Sequence, residues 1–298
     1  MTKGSVLGIF RERSHSPRRE FDDEAILKET AIRLSRYLGM DVPLLYPTEF
    51  LETGLDIKPK LIFFMCEEES CLEKLKVISR SMDCLLVNSV QAVENTFRIK
   101  MVEILSGQEF FPASRIININ EFGNGRILKG VWLKRGDFHA IEDGDVVYAH
   151  DSRDVQAKLN SFAKRGIEQV LVQEHIPGDI VKFYSVTDPD RERVYWFKWF
   201  YHKNQKLCRY DFSKEELYAK CQLAGRLLGL EIFGGDAIVR ADGRIFVIDV
   251  NAWPSFALFR NEASRAISAL IVEKMVSKGC QISMNVKENL TGACSLNP

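Results

Sequence analysis

Asp236, Asp249 and Asn251 are the residues whose types and spacing point most directly to chemistry. They lie in Gly234-Gly235-Asp236-Ala237-Ile238-Val239-Arg240, then Ala241-Asp242-Gly243-Arg244, then Ile245-Phe246-Val247-Ile248-Asp249-Val250-Asn251. An Asp-Gly pair between two β-prone runs is the strongest short-range hairpin signal. A two-residue turn at Asp242-Gly243 sets Ala241 opposite Arg244, and therefore Asp236 opposite Asp249. Strand side chains repeat with period two, so Asn251 shares a face with Asp249. Two carboxylates opposed across a ladder repel each other, and a bound cation removes that penalty. Carboxylate, carboxylate and amide oxygen are hard ligands suited to Mg²⁺ or Mn²⁺. Taken alone, the segment reads equally well as an edge hairpin with solvated acids.

Other candidates surround this hairpin in the sequence. Lys134 closes the apolar run Val131-Trp132-Leu133 and opens the loop Arg135-Gly136-Asp137-Phe138-His139-Ala140, where a lysine could reach a phosphate beneath a moving cover. As a single residue it is also an ordinary strand-end charge. Val170-Leu171-Val172-Gln173-Glu174-His175-Ile176-Pro177-Gly178-Asp179 is an apolar run ending in a Pro-Gly turn. Free backbone groups at its edge could read a purine, and acids beyond it could hold ribose hydroxyls. Arg11, Arg13, Arg18 and Arg19 crowd one early loop and could grip a carboxylate or phosphate by bidentate contacts. A solvated basic loop is the plainer reading. Lys198, inside Tyr195-Trp196-Phe197-Lys198-Trp199-Phe200, is either a further anion contact or the exposed lysine of a packed strand.

The elements that must position these residues follow from apolar periodicity. Runs at 6–10, 42–46, 61–66 and 84–88 read as buried strands. Between them, helices begin near Asp22 or Asp23 and near Ser70, with Gly39 stopping the first. This predicts a small lobe with a parallel sheet and the basic loop beyond the carboxyl end of its first strand. It lacks a Gly-x-Gly-x-x-Gly turn, which argues against a dinucleotide site. A helix over 90–105 carries Lys100. Strands follow at 115–117, 131–134 and 146–148, then a helix from Ser152 or Asp154. Ser213 with Glu216 forms a capping box for a helix ended by Gly229. With 298 residues, 46% hydrophobic and 28% charged, the chain can bury large cores in two or three lobes. Lysine plus arginine equals aspartate plus glutamate at 41 each, so a general nucleic-acid binder is not expected. Seven cysteines without zinc-cluster or disulfide-framework spacing suggest reduced thiols and a cytoplasmic protein, with Cys66 and Cys71 read as packing residues. No apolar run approaches a membrane span.

The order of these elements resembles the ATP-grasp superfamily. The resemblance rests on Lys100, Lys134, the linker Val172-Gln173-Glu174-His175-Ile176-Pro177-Gly178, Asp179, Lys182 and the ending Asp236, Asp249, Asn251 followed by Trp253-Pro254-Ser255. It covers about residues 1–275. It implies an α/β (α+β) fold with a Rossmann-like first lobe over 1–90, a central lobe with a lid over 91–175, and a metal-carrying lobe over 176–298. Two α+β lobes would clasp ATP. Lys100 and Lys134 would contact phosphates, backbone from Gln173 to Ile176 would read adenine, and Glu174 or Asp179 would hold ribose. Lys134 and Lys182 are the catalytic candidates, while Asp236, Asp249 and Asn251 would bind Mg²⁺.

Two features depart from many members: an aspartate at the second metal position, and few glycines after Lys134. Both are similar to the inositol polyphosphate kinase branch. Ligases like the ribosomal-protein glutamate ligase and glutathione synthetase activate a carboxylate as an acylphosphate, which an amine then attacks. A hydroxyl-phosphorylating kinase and a non-catalytic ATP-binding module are the alternatives. In each enzymatic case the expected partner is a small anionic substrate held by Arg11, Arg13, Arg18, Arg19 and Lys198, with neither nucleic acid nor membrane involved.

Overall fold

Short apolar runs open the chain as β1 (Ser5–Ile9), β2 (Leu44–Leu45), β3 (Pro59–Phe64) and β4 (Leu85–Val87). In the computed structural model, which describes residues 5–16, 19–53, 58–121, 130–137 and 143–279, they form a parallel sheet ordered β2-β1-β3-β4. β3 is buried on both faces from Leu61 onward, as a parallel strand covered by helices must be. The helices are α1 (Glu20–Leu38), α2 (Pro47–Glu52) and α3 (Glu69–Met82). α1 starts ahead of Asp22 and Asp23. These acids therefore sit in its first turn, favoured by the helix dipole, rather than capping it. Gly39 ends it with φ 62°, a conformation that favours glycine.

The single helix expected over 90–105 is two: α4 (Val90–Glu94) and α5 (Arg98–Leu105). The Thr96 hydroxyl donates to the Val93 carbonyl at 2.6 Å, a local bond that competes with helix continuation.

The central sheet comprises β5 (Ser114–Asn118), β6 (Val131–Arg135), β7 (Val146–Ala149) and β8 (Gln169–Glu174), ordered β5-β8-β6-β7 with antiparallel pairs. α6 (Ser152–Lys164) packs on it, capped by Asp151, whose carboxylate accepts from the Asp154 amide at 2.9 Å. β8 lies between two neighbours. Its backbone is therefore not a free edge as far as Glu174, whose amide donates to the Ala113 carbonyl at 2.8 Å. The chain leaves the ladders only at His175.

β9 (Asp179–Asp188), β10 (Arg193–Tyr201), β11 (Ile232–Val239) and β12 (Ile245–Ala252) form an antiparallel sheet ordered β10-β9-β11-β12. α7 (Lys214–Leu228) joins the core built on Phe183, Phe233 and Val250, and its Ser213 cap accepts from the Glu216 amide. α8 (Arg260–Ser277) packs with Tyr184, Val186 and Ile232, and against α1. Contacts tie the lobes together at several points. The Asn88 amide oxygen accepts from the Glu231 and Ile232 amides, the Val247 amide donates to the Phe110 carbonyl, and Arg11 donates to the Trp253 carbonyl at 2.7 Å. Among the described residues no helix is long and apolar enough to cross a membrane.

Glu231, 6% exposed, pairs with Lys274 beside the Asn88 tie. Burial outweighs the lysine's pull and pushes the carboxyl up from 4.5 to about 7. A folded-state value raised in this way contributes stability below about 4.5 that is lost as the pH climbs to about 7. Urea unfolding should show stability falling across that window, with Glu231→Gln flattening the fall. An unchanged slope in the variant would count against this assignment.

Candidate active site

The hairpin reaches the expected pairing by a different route. Its turn has three residues, 241–243: the Arg240 amide donates to the Arg244 carbonyl, and Gly243 takes φ 79°. Alone, that turn would shift the register by one. An irregularity between Asp236 and Ala237 restores it, because Ala237 pairs with Val247 while Asp236 pairs with Asp249, leaving Ile248 as the extra residue. Asp236 and Asp249 thus stand opposite each other, and Gly234 faces Asn251.

The bulge has a further consequence. It frees the Ile248 carbonyl from the regular ladder, and Lys134 Nζ, arriving from β6, donates to it at 3.1 Å. Lys182 on β9 is the neighbour of Asp236 on its other side, and its Nζ donates to Asp236 Oδ1 at 2.7 Å. Lys182, Asp236 and Asp249 therefore form one row across three strands. Tyr184, Gly234 and Asn251 form the next, with Lys198 beside Tyr184 on β10. A Cβ at Gly234 would lie 2.6 Å from the Tyr184 ring, so only glycine lets that row lie flat.

Arg98, the first residue of α5, is the functional candidate that sequence reasoning missed. It is 2% exposed and donates to the Arg135 carbonyl at 3.1 Å. Burial lowers its pKa while Asp249 pulls it back up. Lys134, 6% exposed, is pushed down to about 8 by burial, with Asp249 opposing and Arg98 assisting the fall. Two buried cations thus share the field of Asp249. Lys100 is directed elsewhere: its side chain is 56% exposed and pairs with Glu103 at 2.8 Å. Residues two apart on a helix point roughly 200° apart, so Arg98 faces inward where Lys100 faces solvent. The signal was available, since Arg98, Met101, Val102 and Leu105 share the buried stripe.

The other expectations divide. Gln173 is buried and donates to the Ser114 hydroxyl at 3.1 Å, Ile176 is buried, and Glu174 is exposed. His175 accepts from the Trp132 indole at 3.1 Å beside Tyr148. The Asp179 carboxylate is 2% exposed and accepts from the Cys208 and Tyr210 amides at 2.8 and 3.2 Å, bonds that fix a loop. Arg11 is not displayed to a ligand. It pairs with Glu67 at 2.6 Å and with Asp23 at 3.4 Å, because a buried guanidinium requires partners. Arg13 is exposed and lies over the Tyr46 ring, Arg19 donates to the Ser255 hydroxyl at 3.3 Å, and Lys198 lies over the Phe259 ring. Arg18, the loop residues Phe138 to Ala140 after Lys134, and the tail from Cys280 lie outside the described residues.

A hard cation fits this arrangement. Two carboxylates and an amide oxygen share one face, and Lys182 already neutralises Asp236 there. With Arg98, Lys134 and Lys182 the local cations outnumber the two acids, so a polyanion suits the same face.

A parallel-sheet lobe is followed by two antiparallel sheets, and cations gather beside the paired carboxylates of the last. The chain has the ATP-grasp fold. It is similar to the RimK domain protein ATP-grasp from Sphaerobacter thermophilus, with TM-score 0.58 and 15% identity over 89% of this chain and 97% of that one. It is similar to D-alanyl-alanine synthetase A from Vibrio cholerae, with TM-score 0.65 and 10% identity over 93% and 100% of the two chains. It is also similar to the ATP-grasp ligase PsnB complexed with minimal precursor, Mg and ADP, with TM-score 0.59 and 16% identity over 91% and 98%. No family model and no curated protein sequence matches the chain.

Proposed function

We propose that the chain is an ATP- and Mg²⁺-dependent ligase that converts a carboxylate to an acylphosphate and joins it to an amine. The observation that carries this is the row Lys182, Asp236, Asp249 beneath the buried Arg98 and Lys134. Two of the similar structures are named synthetase or ligase, which favours the ligase over a kinase.

Asp236, Asp249 and Asn251 would hold Mg²⁺, which supplies neutralisation of phosphate charge. Arg98 and Lys134 would hold the phosphate chain, and an anion there would raise the lowered pKa of Lys134 again. Lys182, paired with Asp236, would share its protons with the transferred group. A carboxylate oxygen attacks the γ-phosphorus as the bond to ADP breaks. The amine nitrogen then attacks the acyl carbon, phosphate leaves, and the amine loses a proton to solvent. Exposed Arg13, Arg19 and Lys198 would attract a small anionic acceptor.

Candidate acids and amines, tested for ADP release, decide the reaction. ADP and free phosphate are expected only when acid and amine are both present. Accumulation of a phosphorylated alcohol without free phosphate would establish the kinase instead.

A further inference from the structure

We propose that Glu12, Cys66 and Cys71 form a buried site for one thiophilic divalent cation of the zinc type. The three side chains come from separate elements: Glu12 just after β1, Cys66 just after β3, and Cys71 in the first turn of α3. All meet at the carboxyl edge of the parallel sheet. One donor atom from each lies within 4.8 Å of the others. Donors around a tetrahedral zinc stand roughly 3.3 to 3.8 Å apart, so little contraction is needed. Both cysteines are 0% exposed and Glu12 is 6% exposed.

The carboxylate is held in place for such a role. Glu12 Oε1 accepts from the Glu67 and Glu68 amides at 3.2 and 3.1 Å, and Oε2 accepts from the Glu67 amide at 2.9 Å. An ionised carboxylate has about four lone-pair positions, so Oε2 retains capacity for a cation. Backbone bonds that aim a ligand in this way are the usual second support of a metal site. His15 Nδ1 stands 3.4 Å from Glu12 Oε2 and adds a further support to the same carboxylate. Two sulfurs make this a soft site, unlike the oxygen face of Asp236 and Asp249.

The site also has a structural consequence. Glu67, whose amide binds Glu12, pairs with Arg11, and Arg11 donates to the Trp253 carbonyl two residues beyond Asn251. A cation at Glu12 would stiffen this link between the first lobe and β12.

The inference does not depend on the nucleotide reading, and cobalt tests it. The full chain, purified reduced and without a metal-affinity step, is titrated with Co²⁺ in the presence of excess Mg²⁺. One Co²⁺ per chain with near-ultraviolet thiolate-to-cobalt absorption is expected, displaced by Zn²⁺ and accompanied by a higher melting temperature. Cys66→Ala and Cys71→Ala should each abolish the absorption, Glu12→Gln should weaken it, and Cys208→Ala should leave it intact. Absence of the absorption in the unaltered chain would overturn the proposal without recourse to any variant. Equal absorption in the two cysteine variants, or a Cys66–Cys71 disulfide with no cation bound, would overturn it as well.

Discussion

Arg98→Ala is expected to weaken ATP binding by about 2 to 5 kcal/mol, the scale of removing one partner of a desolvated charged contact, whereas Lys100→Ala leaves it unchanged. The contrast comes from helix geometry. Arg98 begins α5 on its buried stripe and lies in the field of Asp249, while Lys100, two positions later, points to solvent and pairs with Glu103. A buried guanidinium is desolvated already, so a phosphate contact to it costs little further desolvation. Calorimetric titration of ATP with excess Mg²⁺ into both variants measures the difference. Melting of the nucleotide-free proteins shows whether Arg98→Ala has merely damaged the α5 contact with the Arg135 carbonyl. A loss in Lys100→Ala equal to that in Arg98→Ala would contradict the placement of the cations.

Asp249→Asn is expected to reduce Mg²⁺-supported ATP binding by roughly 100-fold or more, above the range seen when only a supporting residue of a metal site is lost. Asp249 serves two purposes. It opposes Asp236 across the ladder, and it supports the charge of Arg98 and Lys134. The amide preserves the shape and removes the charge. Apparent Mg²⁺ affinity, measured at fixed ATP, should therefore fall while the fold stays intact. Unchanged Mg²⁺ dependence would exclude Asp249 as a ligand.

The hairpin and its acids were legible because strand pairing has period two and an Asp-Gly turn marks its own position. The turn itself was misjudged by one residue, and the bulge at Ile248 compensated; neither irregularity has a signature stronger than the Asp-Gly pair. Lys134 was legible as a strand end. Its anchor on the Ile248 carbonyl was not, because that bond joins residues 114 positions apart and exists only through the bulge. Arg98 was hidden by reading 90–105 as one helix, although its buried stripe was present in the sequence. The partners of Asp179 and Arg11 were not legible for a common reason: a charged residue near a loop gives no sign of whether backbone amides or other charges will claim it. The parallel sheet of the first lobe followed plainly from its apolar runs, whereas the interior position of β8 required the pairing of strands distant in sequence.

The central claim is that the face bearing Asp236, Asp249 and Asn251, with Arg98 and Lys134 above it, binds ATP through Mg²⁺. The most direct test is the melting temperature of the unaltered chain with ATP plus Mg²⁺, compared with ATP plus a chelator and with Mg²⁺ alone. A rise of about 5 °C is expected when ATP and Mg²⁺ are both present at about 100 times the dissociation constant, with little change from either alone. No rise at millimolar ATP and Mg²⁺, or the same rise with chelator, would contradict the account.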